Sequence, residues 1–181
     1  MQSTTHTLSD TRNNSIRPDD LPAMVKGSES LYSGRRSQLS KDIIRSQVYD
    51  IAEKLFKDGV DFDEDDCNWF VAPRYRLPRI WGHGRTSPLL IVFPTRYPEI
   101  PPVGCYLAGT LKVSPNGHFY QEAYHQASSE PIAKGWNWYC VYVTPGAWRP
   151  ARLRRLEDWR HGDNIWTYLT LINEALAGEG N

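Results

Sequence analysis

Cys140 closes the stretch "GWNWYC" and is the side chain of this sequence best suited to covalent chemistry. A thiolate is a strong nucleophile, but a free thiol is mostly protonated at neutral pH, so such chemistry needs neighbours that lower its pKa. Arg149, Arg152, Arg154, Arg155 and His161 follow closely and could serve, although a basic run is equally a solvated face. His118 and His125 lie upstream and offer a base for a cysteine hydrolase, but no nucleophile signature of such an enzyme surrounds Cys140. With Cys105 the same residues could form a four-ligand zinc set. No close C-x-x-C pair anchors one, so no metal is expected. The plainest reading is a structural one, because free cysteines are among the most often buried residues.

The elements around these residues decide what they can reach. Alternation along the Cys140 strand puts Trp136, Trp138, Cys140 and Tyr142 on one face, and Asn137, Tyr139, Val141 and Val143 on the other. Upstream, "CNWFVAPRYRL" and "PLLIVFP" are aromatic or β-branched runs joined by the glycine-containing "WGHGRTSP", where His83 is expected to be exposed. "VGCYLAGTLKV" adds a further strand, and a polar loop from Ser114 to Lys134 leads into the Cys140 strand. Before the strands, Ile43, Ile44, Val48, Ile51, Leu55 and Phe56 form a helical stripe with Ser40 as its expected cap and Gly59 closing it. "DFDEDD" lacks the glycine and glutamate of a calcium loop and reads as a solvated turn. After the strands, Ile165, Leu169, Ile172 and Leu176 mark a last helix, with Asp163 the expected N-cap and Gly178 past its end. This order predicts an α+β domain, a sheet backed by helices, over residues 39–181. Residues 1–38 are polar apart from "LPAMV" and read as a flexible or partner-ordered segment.

Bulk properties narrow the partners. Twenty-one basic and twenty-one acidic residues balance to zero, so no overall field draws nucleic acid or an anionic membrane. No apolar run reaches transmembrane length, and the N-terminus lacks an apolar signal-peptide core. Cys67, Cys105 and Cys140 are too few and too widely spaced for a disulfide framework, and they fit a reducing cytoplasm. No phosphate-cradling glycine loop is present, and no cofactor is expected.

Four prolines, Pro94, Pro98, Pro101 and Pro102, follow the apolar strand and interleave with Phe93 and Tyr97. Proline fixes φ and donates no hydrogen bond, so a rigid extended elbow is expected here in place of a continuing ladder. This stretch, "FPTRYPEIPP", resembles the F-P-x-x-Y-P-x-x-P-P segment of ubiquitin-conjugating enzymes. In that fold an N-terminal helix leads into a four-stranded antiparallel meander, and the proline segment follows the third strand. The catalytic cysteine comes after the fourth, and a Trp-x-Pro stands eight residues beyond it. Cys140 and Trp148-Arg149-Pro150 keep that spacing. The resemblance covers roughly residues 40–178 in the right order. It is closer to a divergent bacterial branch with an aromatic-rich W-x-W-Y-C strand.

The resemblance implies a UBC-like fold with a long active-site loop before a C-terminal helix. It implies an acyltransferase that takes a ubiquitin-like protein from an adenylating activating enzyme as a Cys140 thioester and passes it to an amine of a protein substrate. The bacterial relatives suggest antiphage defence as the setting. The alternative is a non-catalytic module that binds a ubiquitin-like protein or its activating enzyme. The family's His-Pro-Asn before the cysteine is missing, "SPNGH" standing too far upstream, and "ARLRRLEDWRHG" is inserted before the last helix. Aminolysis develops an oxyanion that needs a preorganised donor. His118 and His125 are the expected replacements, expected to reach the Cys140 sulfur, with Asp163 approaching from the helix start to orient the amine. Asn137 is the further candidate, though alternation turns it to the opposite face.

Overall fold

The computed structural model describes residues 34–108, 136–141 and 143–178. The first stripe forms α1, Gln38–Lys54, with Ile43, Ile44, Val48 and Ile51 buried. Its N-cap is Ser37, whose hydroxyl accepts from the Ser40 amide at 3.2 Å. The expected cap, Ser40, lies in the first turn, where its buried hydroxyl donates to the Tyr97 carbonyl. Two serines three residues apart both suit a cap, and the tertiary bond to Tyr97 draws Ser40 into the helix. The helix also stops before Gly59. Leu55 is its C-cap, and Gly59, at φ +82°, ends the turn that follows.

The folded body begins earlier than residue 39. Arg36 is buried and donates to the carbonyls of Phe93 (3.0 Å), Pro94 (2.7 Å) and Asp66 (3.3 Å). The expectation for residues 1–33 lies outside the described residues.

Five strands follow: β1 (Asp61–Phe62), β2 (Trp69–Arg76), β3 (Thr86–Val92), β4 (Gly104–Ala108) and β5 (Trp136–Cys140). They pair antiparallel in chain order, giving five strands where four were expected. The extra one, β1, comes from the start of "DFDEDD". Phe62 pairs with Phe70, and the Asp63 carboxylate then caps the turn by accepting from the Asp66 and Asn68 amides. Pro73 has no amide hydrogen for the ladder, and the β2–β3 register shifts between Ala72 and Tyr75.

Strand alternation divides the apolar residues into two sets. Phe70, Leu89, Ile91, Leu107, Tyr139 and Val141 pack with residues of α1 and of the C-terminal helix α2, Ile165–Ala177. Trp69, Val71, Leu90, Val92, Tyr106 and Trp138 form the second set, with Trp136 and Cys140 beside them. Both helices therefore lie on one face, and Cys140 belongs to the other. The stripe expected for α2 is buried, and Gly178 ends the helix in the left-handed conformation.

The cap of α2 differs from expectation. It is Asn164, not Asp163: its side chain accepts from the Trp166 amide at 2.8 Å. Its Nδ2 also donates to the carbonyls of Gly162 (2.8 Å) and Trp159 (3.4 Å). A carboxylate could accept the first bond but could make neither of the others, so Asn is the residue that fits.

Candidate active site

The proline elbow is the scaffold of the site. Phe93 and Tyr97 pack with ring centroids 4.9 Å apart and planes inclined by 54°, and the Tyr97–Pro98 peptide is cis. The buried Tyr97 hydroxyl donates to Gln47 Oε1 at 2.5 Å. The same oxygen accepts from the Ile165 amide at 3.1 Å, at the first residue of α2. One glutamine of α1 thus ties the elbow and the last helix together. Burial of Arg36 lowers its pKa, while Cys67, Asp63 and Asp66 act against that shift.

Beyond the elbow, Pro101 and Pro102 lead straight into β4, whose first residue, Gly104, stands opposite Cys140. The Val141 amide donates to Val103 at 3.1 Å, so the chain is held on both sides of the cysteine. Cys140 is half-buried, whereas Cys67 and Cys105 are buried. Burial, followed by the neighbouring Cys140 thiol, pushes the Cys105 pKa up, and burial likewise raises Cys67. Cys105 points to the helix side and Cys140 away from it. That places two of the conceivable zinc ligands on opposite faces, and no cluster of three or more metal-ligating side chains occurs among the described residues.

From Cys140 the chain turns through Pro145–Ala147, with Gly146 at φ +78°, to Trp148. The Trp148 indole donates to the Pro98 carbonyl at 2.7 Å. Its ring lies between Tyr97 and Tyr168, with centroids 6.4 and 6.5 Å away. The two stretches that carried the sequence resemblance are therefore in direct contact. Asp163 holds the next residue: its Oδ2 accepts from the Arg149 amide at 2.6 Å, and its own amide donates back to Arg149 O at 2.9 Å. Asp163 thus fixes the Trp148–Pro150 segment to the start of α2 and leaves the capping to Asn164.

The remaining expected helpers divide as follows. His118 and His125 lie outside the described residues. Asn137 faces the helix side, where its side chain hydrogen-bonds the Tyr139 phenol; burial raises that phenol's pKa and the bond acts against it. Arg149, Arg152, Arg154, Arg155 and His161 are all exposed, as a solvated face requires, and His83 is exposed too. Sequence reasoning missed the parts played by Gln47, Arg36 and Gly104. Gly104 alone left a signal, being the one glycine next to a cysteine in a strand.

A cleft of about 500 Å³ opens elsewhere, between the start of α1, the elbow and Pro150–Leu153, and Cys140 does not line it. No helix among the described residues is long and apolar enough to cross a membrane. Comparison with protein-family models, with curated proteins and with solved structures finds no match.

Proposed function

We propose that the protein is a ubiquitin-conjugating-enzyme-like acyltransferase with a UBC-like fold, working in the cytoplasm, with Cys140 as its nucleophile. The observation that carries the reading is the contact between Trp148 and the elbow at Pro98, with Cys140 held in the ladder beside it. Two motifs that resemble the family in sequence meet in space, and the half-buried thiol stands next to the strand the elbow feeds. The Cys140 thiolate attacks the thioester carbonyl that joins a ubiquitin-like C-terminus to its activating enzyme. The tetrahedral adduct collapses, expels the activating enzyme's thiolate and leaves the acyl group on Cys140. A target amine then attacks that carbonyl, an amide forms, Cys140 leaves as thiolate, and the proton lost by the amine passes to a base or to water.

The test is an adduct assay with a ubiquitin-like protein and its adenylating activating enzyme. A thiol-sensitive adduct at Cys140 that turns into a thiol-stable oxyester in Cys140→Ser supports the reading. Binding of the ubiquitin-like protein without any adduct assigns the chain to the non-catalytic alternative.

A further inference from the structure

The cleft between the start of α1, the elbow and Pro150–Leu153 has no part in the reading of Cys140. Its walls are largely apolar: Leu39, Ile43, Pro98 and Leu153 all line it. Leu39 is 56% exposed, an open position for a large apolar side chain on a helix that is otherwise packed. A volume of about 500 Å³ lies in the range that holds a drug-sized ligand, with room for roughly two or three aliphatic side chains. Charge is added on one wall. Arg152 and Arg154 flank the lining residue Leu153, and both are exposed with no ion pair among the described residues. Arg96, on the elbow, is by contrast paired with Glu99 at 2.7 Å. An apolar cleft with a cationic far wall fits a short segment in which acidic and apolar side chains are adjacent.

The sequence holds such a segment, and the chain delivers it to the edge of the cleft. "LPAMV", Leu21–Val25, is the longest apolar run in residues 1–33, and Asp19 and Asp20 directly precede it. The chain joins the described body at Gly34, where a methyl group would lie 3.9 Å from the Thr95 side chain. Thr95 and Arg35 both line the cleft. The steps from Val25 to Gly34 reach about 30 Å when extended, so the segment can enter without strain. A tether this short holds it at an effective concentration of about a millimolar, at which even a weak contact is occupied.

We propose that the segment Asp19–Val25 docks in this cleft in cis. Its aliphatic side chains enter between α1 and Leu153, where they cover Leu39. Chain running outward from Gly34 crosses the cleft from the α1 side, so the two aspartates, farthest from the tether, meet Arg152 and Arg154 on the opposite wall. A segment whose composition gives it too little apolar surface to fold alone thus finds its partner in its own chain. The inference does not depend on the chemistry of Cys140.

The experiment uses the full chain with photo-methionine in place of methionine, whose diazirine inserts into whatever touches it. The sequence has only Met1 and Met24 to carry the label, so peptide mass spectrometry assigns each cross-link. Irradiation of dilute protein is expected to join Met24 to Leu39–Ile43 or to Pro150–Leu153 within one chain, at a yield that further dilution leaves unchanged. Arg152→Asp combined with Arg154→Asp should lower that yield about threefold, because exposed ion pairs are individually weak. Adding Asp19→Arg and Asp20→Arg to the same chain should restore it. Cross-links to the cleft that form only between two chains and fade on dilution assign it to a second copy and overturn the proposal. Cross-links from Met24 to other parts of the chain, or none, overturn it as well and leave the cleft to a different protein. A yield indifferent to both charge changes overturns the pairing of the aspartates with Arg152 and Arg154.

Discussion

Cys105 and Cys140 lie on neighbouring strands, one step apart in the ladder, yet they occupy different chemical worlds. Cys105 pairs with Tyr139 and Gly104 with Cys140, so a single change of parity puts the first thiol among the helix-packed core and the second on the opposite face. The first is fully buried and its pKa is driven up; the second is half-buried at the end of its strand. The residue type is the same and the strand environment is similar. Register alone puts one thiol in the helix-packed core and leaves the other half-buried on the opposite face.

The sharpest way to break this comparison is to exchange the two thiols' fates. Cys140→Ala should abolish acyl transfer and lower the melting temperature by only about 2 °C, since it removes a single half-buried sulfur. In the native protein iodoacetamide should label Cys140 while Cys67 and Cys105 react only after unfolding, a pattern read directly by peptide mass spectrometry. Labelling of Cys105 at a rate similar to Cys140 would dissolve the distinction.

The helix-packed side should answer in stability. Gln47→Leu removes the acceptor shared by Tyr97 and Ile165 and strands two buried donors. At about 1–3 kcal/mol for each orphaned group, a loss of roughly 3 kcal/mol is expected in denaturant unfolding. Trp148→Ala removes a half-buried ring and the bond to Pro98, and should cost about 2–3 kcal/mol, less than a fully buried tryptophan. It should also slow transfer, because the segment after Cys140 loses its anchor. Cys105→Ala should cost about 1 kcal/mol and leave the rate unchanged. If Cys105→Ala stops transfer with no loss of stability, the assignment of faces has the wrong functional meaning.

The smallest effect expected is on acid stability. Burial of the Asp50 carboxylate raises its pKa, but hydrogen bonds from Lys54, Trp166 and Arg160 outweigh this and hold the pKa below its usual value. A group with a depressed folded pKa contributes stability above its unfolded value and loses it as pH falls through the folded one. Melting temperature should therefore drop more steeply below about pH 4 in the wild type than in Asp50→Asn. Equal slopes would show that Asp50 does not link α1 to the last helix electrostatically.

What the sequence revealed follows the strength of each local signal. The stripes of α1 and α2, the strand faces around Cys140 and the rigid elbow were all readable, because apolar periodicity and proline geometry act over a few residues. The two N-caps were misplaced for a related reason. Ser37 and Ser40, and Asp163 and Asn164, satisfy the same local preference, and only distant partners separate them: the Tyr97 carbonyl for Ser40 and the Arg149 amide for Asp163. Arg36 could not be recognised as a clamp, since its acceptors are carbonyls 30 to 58 residues away and carbonyls leave no mark in a sequence. The short β1 was hidden because two residues are too few to show alternation.

The tie between Arg149 and Asp163 has a consequence for how this region can change length. The chain departs and returns at one point, and Gly162 runs so close to that base that a methyl group on it would lie 2.7 Å from Arg149 O. Residues 150–162 are thus an excursion with a closed neck, in the size range of compact surface Ω-loops. Its one deep root is Trp159, whose indole donates to Ser46 on α1. Insertions and deletions inside such an excursion leave the neck, and hence Trp148 and the approach to Cys140, where they were. Added residues could accumulate here without re-registering the sheet, and a foreign peptide grafted between Arg152 and Glu157 would inherit the same tolerance.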